Sequence, residues 1–372
     1  METRQFIYQN QQWESVPIVD ENVQLVTVFF SIYDRKTTIL SSLAKYYPNA
    51  EIVGCSSAGD IAAAQLYDDA IVITTFTFSK TCIRVFNRSI SDSSLPNLCQ
   101  KAVEMLKEPN LKWLMVLSDG HVLNGSEVAE CLGAAFGNNV VITGGLAGDG
   151  ERFSNTALWH MKPLAEGSII LCGFYSDSLN VSYASVGGWD SFGPSREITR
   201  AEGNRLYQLD NEPAITLYRN YLGPYANDLP ASALRFPLQV RSSSSNQPVI
   251  RTILGIDYED NSMVFAGDMP QGGQAQLMKA NFDRLIDGAN RAVTSALETP
   301  HNTTGVALLI SCVGRKLVLG PRVEEELEVV FSQLTDGFQT MGFYSYGEIA
   351  PIQAGGRCLL HNQTMTVTLI SE

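Results

Sequence analysis

Two short stretches place small and ionisable residues where a buried β-strand should end. In IVGCSSAGDI (52–61) an apolar run gives way to Gly54, Cys55, Ser56 and Asp60. In VVITGGLAGDG (140–150) a similar run gives way to Gly145 and Asp149. Small residues after a strand leave main-chain amides able to hold a carboxylate or small anion, and an aspartate beside them can pair with an ammonium group. These six residues are therefore candidate ligand-binding positions for a small metabolite such as an amino acid. The first stretch lacks the lysine and the spacing of a P-loop, and its glycines do not fit G-x-G-x-x-G. The plain alternative is a tight turn whose glycines supply backbone freedom.

Other chemistry has fewer supports. Cys55 and Cys312 are candidates for a thiol nucleophile, which needs a lowered pKa from a helix N-terminus or a nearby base. Gly145 stands where Cys55 would recur, so this turn forms without a thiol. Of the four histidines, His121 lies in a loop-like stretch, His301 precedes a strand and is expected in solvent, and His160 alternates with apolar neighbours. His361, in CLLHNQTMTVTL, sits in an apolar, β-branched run. Such a histidine is ordinarily a hydrogen-bonded core residue. A neutral imidazole in apolar surroundings is also what a haem axial ligand requires. The absence of C-x-x-C-H excludes haem attached as in c-type cytochromes.

The elements that must position these residues recur. VQLVTVFF (23–30) reads as a strand covered on both faces. Asp34 is placed to cap a helix with Ile39, Leu40, Leu43 and Tyr47 on one face, and AEIVG leads into the first turn. LKWLMVL (111–117), a helix opened by Asn124 and Glu127, and VVITGG repeat that order before the second turn. Asp60 and Asp149, each closing an A-G-D, are 89 residues apart. A third, fainter copy runs from GVALLISCVG (305–314) to GFYSYGEIAP, where S-Y-G-E-I matches S-A-G-D-I in kind. The expected fold is α/β, with repeated βαβ units feeding mixed sheets. Between the copies, 202–223 reads as helical after Pro213 with Gly223 as its stop, and the longest helix is expected over about 275–297 with Met278 on its apolar face.

Composition narrows the class. With 372 residues, 45% hydrophobic and 17% charged, the chain can bury several cores. A net charge of −13 without a basic cluster argues against nucleic acid and anionic membranes as partners. The N-terminal stretch has no apolar signal segment and no run is long enough to span a bilayer. Seven scattered cysteines without a C-x-x-C pair suit reduced thiols in a cytoplasm rather than a disulfide frame or zinc site.

GCSSAGDI, GGLAGDGERF, GGWDSFGPSREITRAEGNRLYQLDNEPAITLYRNYLG, LGIDYEDNSMVFAGDMPQG, SCVGRKLVLG and GFYSYGEIAP together resemble the FIST sensory proteins, from about residue 20 to the C-terminus. The resemblance implies two FIST-type domains, over 20–200 and 201–372, and a cytoplasmic, non-catalytic sensor. It implies signalling to histidine kinases, diguanylate cyclases or chemotaxis-type receptors, with a homo-oligomer left open. LHNQTMTVT resembles a branch that binds haem b and senses nitric oxide. In that branch's terms His361 is the axial iron ligand, whose bond nitric oxide weakens. A haem-free sensor of a small metabolite and a cysteine hydrolase are the alternatives.

Overall fold

The computed structural model describes residues 1–31, 36–229, 231–243, 247–352 and 355–372. Asp34 lies outside them. Three βαβ units carry the architecture. The first joins Leu25–Phe30 to Glu51–Ser56 through helix Lys36–Tyr46. The second joins Leu111–Ser118 to Val141–Leu146 through Gly125–Phe136. The third joins Gly305–Cys312 to Phe338–Ser345 through Val313–Leu319 and Val323–Gln333. Each pair is parallel. The strands are almost wholly buried, as continuous apolar runs require when both sheet faces are covered.

The units share one plan. A return strand lies antiparallel to the first strand of each: Ala70–Thr77, Ser168–Tyr175 and Met365–Ser371. An outer strand flanks each return strand: Glu2–Gln9, Cys82–Ser89 and Asn180–Val186. The third copy, faint in the sequence, is a full equivalent of the other two.

Each unit then gives away a hairpin. Asp60–Ala62, after the first turn, pairs with Phe338–Ser345 of the third unit. Leu158–His160 of the second pairs with Glu51–Ser56 of the first. Glu348–Pro351 of the third pairs with Val141–Leu146 of the second. The exchange is cyclic, so the three sheets form one body with pseudo-threefold symmetry. Their facing sides bury a common core, in which Trp113 meets Phe174 and Phe29 meets Phe343, at ring separations of 4.2 and 4.6 Å. Separate clusters lie on the outer faces of the sheets.

A fourth sheet, of eight strands within Asp190–Lys279, has its own core. Its helix Ala214–Leu222 ends at Gly223, with φ +56°, as the sequence leads one to expect. The long helix is shorter than expected. Gln274–Lys279 is a strand between Leu238–Arg241 and Asp190–Glu202, and the helix begins at Phe282, where Asn281 Oδ1 accepts the Arg284 amide. Met278 is therefore a buried strand residue, while its neighbours Ala275 and Leu277 join the sheet core. Sheet pairing on both sides overrides a helix-permitting sequence here.

Candidate functional site

The three turns meet at the end of the body where the parallel strands finish, the usual ligand crevice of α/β sheets. Their register is set by Gly54, Gly144 and Gly342, each opposite a partner-strand residue: Val28, Val116 and Leu309. A Cβ on any of the three would lie 1.8–2.0 Å from that partner's carbonyl oxygen, so only glycine fits. One position further, Cys55, Gly145 and Phe343 are equivalent. The Phe343 ring occupies the space beside Gly145, where a Cβ would meet its Cζ at 3.2 Å. The glycine of the second turn is thus explained by packing against one large ring.

Three main-chain hydrogen bonds tie the turns into a cycle. Ala58 N donates to Tyr344 O at 2.8 Å, Gly148 N to Ser56 O at 3.0 Å, and Tyr346 N to Leu146 O at 3.2 Å. The cycle aligns Ala58, Gly148 and Tyr346, and it corrects the 89-residue match. Asp149 falls at the position of Gly59, not of Asp60. The true equivalents of Asp60 are Glu348 and Leu158, which pair with Phe343, Gly145 and Cys55 in the same register. Asp149 belongs to a loop, 149–156, that the other two turns lack.

Asp60 and Glu348 share a chemistry. Asp60 is fully buried and accepts from the amide and hydroxyl of Ser31, at 3.0 and 2.9 Å, and from the hydroxyl of Ser57. Burial outweighs these bonds and raises its pKa to about 7. Glu348 accepts from the hydroxyls of Ser345 and Thr364 and from the Thr364 amide, and burial raises its pKa to about 8. In both turns the serine lies three residues before the carboxylate, the signal that S-A-G-D and S-Y-G-E share.

Asp149 differs. It accepts from the amides of Ser154 and Asn155 at 3.1 and 2.9 Å, the Ser154 hydroxyl at 3.0 Å and the Tyr346 hydroxyl, with Arg152 Nε at 3.8 Å. Burial alone would raise its pKa, but these donors, Tyr346 foremost, hold it below the usual carboxylate value. Phe153 stacks on Tyr346 at 4.7 Å and remains exposed. Ser31, Tyr346 and Glu348 are the functional-site residues that sequence reasoning left out. The structure thus gathers Gly54, Cys55, Ser56, Asp60, Gly145 and Asp149 into one junction, with both aspartates engaged by groups of the chain itself.

Tyr344 links the junction to a buried ion pair. Its hydroxyl donates to Glu326 Oε1 at 2.7 Å, and Arg315 reaches Glu326 Oε2 through Nε and Nη2 at 3.0 and 2.8 Å. Arg315 also donates to the carbonyls of Gly187 and Leu285. The pair is fully buried and hydrogen-bonded throughout, the condition for such a pair to persist.

His361 lies opposite Glu348 in the hairpin of Glu348–Pro351 and Cys358–His361. Its Nε2 donates to Ala350 O at 2.9 Å, and burial lowers its pKa to about 4. The ring is neutral, with Nε2 committed to a carbonyl that can only accept, so this atom cannot hold iron while the bond stands. His361 also lines neither of the two cavities described below. In this packing the residues around it do not fit a haem. Among the described residues, no group of three or more His, Cys, Asp or Glu is arranged to hold a metal. His160 bridges Asn87 and Glu51, and His301 meets the Ser182 hydroxyl at 2.6 Å rather than standing in solvent.

Two cavities open elsewhere. One, with room for about 20 Å³, lies in the fourth sheet's core between Leu217, Tyr218, Met263 and Leu277, with Arg196 at its edge. The other, of about 140 Å³, is a cleft at the seam of the second and third units, lined by Asn138, Val141, Ser182, Tyr183, Thr299 and Pro351 among others.

The sequence matches the family models of the FIST N domain over residues 24–212 and the FIST C domain over 214–351. The chain belongs to the FIST family of sensory signal-transduction proteins. It is similar to an uncharacterized protein of Methanocaldococcus jannaschii, 20% identical over 355 residues, covering 85% of this chain and 67% of that one. These matches carry the family and not its haem-binding branch. No helix among the described residues is long and apolar enough to cross a membrane.

Proposed function

We propose that the chain is a non-catalytic sensory module that binds a small, net-uncharged polar metabolite such as an amino acid and reports its state to a partner histidine kinase or diguanylate cyclase. The cleft between the second and third units carries this reading. Its lining sets Val140, Val141, Val181 and Pro351 beside Asn138, Tyr183 and Thr299, with no charged side chain among the described residues. An opening of about 140 Å³ suits a small solute, and placed polar groups of this kind are what fix one there.

The cleft connects to the junction through a single strand. Pro351 lines the cleft and Glu348, at the other end of Glu348–Pro351, lies in the junction. A solute that favours one setting of this strand shifts the junction by its difference in affinity for the two settings. The thiols weigh against the cysteine-hydrolase reading. Burial pushes Cys55 well above its ordinary pKa and Cys312 up to about 12, so neither holds a ready thiolate.

The test is a thermal-shift screen of amino acids and related metabolites on the purified chain. A ligand should raise Tm with concentration, as mass action requires, and Thr299→Trp, at the exposed rim, should abolish the shift while leaving the fold intact. A positive ligand that binds Thr299→Trp equally well would remove the cleft from the reading. The same preparation titrated with haemin is expected to show no Soret band that depends on His361.

A further inference from the structure

Helices Leu95–Leu106 and Gly125–Phe136 pack side by side over the second sheet, and each presents a cysteine to the other. Cys131 Sγ donates to Leu95 O at 3.7 Å. In an α-helix that same carbonyl receives the amide of the residue four further on, which is Cys99. The Cys131 sulfur therefore sits at the level of Cys99, close enough that burial first and the Cys131 side chain next raise the Cys99 thiol above its ordinary pKa. Cys99 is buried, whereas Cys131 is partly open to solvent. Their surroundings, Leu98, Ala102, Val128 and Leu132, are apolar.

We propose that Cys99 and Cys131 are a reversible oxidation site, forming an interhelical disulfide when the chain meets a two-electron oxidant such as hydrogen peroxide. Cys131, the accessible partner, reacts first. Its thiolate attacks a peroxide oxygen, the O–O bond breaks, and hydroxide leaves to take up a proton as water. The resulting sulfenic acid is attacked by the Cys99 sulfur, which gives up its proton as the S–O bond breaks and a second water departs. Two thiols are oxidised by two electrons and one peroxide becomes two waters. A dithiol reductant reverses the change by exchange.

The bond reaches the sensing hairpin. Helix Gly125–Phe136 packs on Cys358–His361, and a Cβ on Gly133 would lie 3.3 Å from the Cys358 Cβ. Fixing this helix to its neighbour fixes one wall of the hairpin that carries His361. This proposal stands on the helix pair alone and does not depend on the metabolite cleft.

The test uses the intact chain, treated with hydrogen peroxide, alkylated, and digested with trypsin without reduction. Cys99 and Cys131 fall in separate tryptic peptides, 89–101 and 113–152, each with a single cysteine. The expected result is about a tenfold or greater rise in these peptides joined together, less two hydrogens, reversed by dithiothreitol. Cys131→Ser should leave Cys99 reduced, and Cys99→Ser should leave Cys131 as a trappable sulfenic acid. If the exposed Cys82 is oxidised while both peptides are recovered singly and alkylated, the proposal is wrong.

Discussion

The first and second turns carry the same three letters, A-G-D, and hold their aspartates in opposite ways. Asp60 accepts from one amide and two hydroxyls, with no cation in contact among the described residues. Asp149 accepts from two amides and two hydroxyls, with a guanidinium nearby. Hydroxyls can turn to serve a protonated acid as well as a carboxylate, whereas amides and cations favour the anion alone. Burial outweighs the donors at Asp60 and shifts its pKa up, whereas at Asp149 the donors outweigh burial and shift it down. Glu348, in the third turn, sides with Asp60. Position in the repeat, rather than the local motif, decides the electrostatics.

This contrast can be broken at several depths. The largest effect belongs to the glycines that make the turns equivalent. Gly54→Ala, Gly144→Ala and Gly342→Ala each force a Cβ into a carbonyl oxygen, so each should lose about 4 kcal/mol or more, read as loss of soluble folded protein. A mild effect at only one of the three would show that the turns are not equivalent.

Next comes the pH dependence of the raised pair. Their folded pKa values, about 7 and about 8, exceed the unfolded ones, so the stability they contribute is full below about pH 4 and is lost as pH rises through 7 and 8. The loss is of the order of 4 kcal/mol for each group at most. Chemical denaturation across pH 5 to 9 should show a decline that Asp60→Asn with Glu348→Gln flattens. An unchanged slope in the double variant would mean that both are ionised in the folded chain at neutral pH.

Tyr346→Phe should have a smaller effect, about 2 kcal/mol, because it removes a donor to Asp149 and an acceptor for the Asp149 and Phe153 amides. Asp149 contributes stability above its unfolded pKa and loses it as pH falls through its lowered folded value. The variant should therefore lose less than the parent on acidification, measured as Tm between pH 5 and 3. Smallest is Cys55→Ala, expected to cost about 1–2 kcal/mol in packing and to leave ligand binding untouched, by calorimetry.

Much of the frame was legible in the sequence, because a strand covered on both faces must be a continuous apolar run, and 23–30, 111–117 and 305–314 are such runs. The third copy was harder to see, since its turn carries Tyr346 and Glu348 where the first has Ala58 and Asp60. The hairpin exchange was not legible at all. Thr340 donates to Ala63 O across 277 residues, and no local pattern announces such a pairing. Matching the two A-G-D motifs by letter put Asp149 one residue out of register, because the first motif begins four residues after Gly54 and the second only three after the equivalent Gly144.

The cyclic exchange also has a consequence for synthesis. The hairpin that follows the first turn is made well before its sheet partner, Phe338–Ser345, which lies about 280 residues further along the chain. Until then the first unit shows an unpaired strand edge, and Val141–Leu146 waits for Glu348–Pro351. A nascent chain of this design has to be kept from pairing with its neighbours until the third unit arrives, and a ring that closes over so long a separation closes slowly.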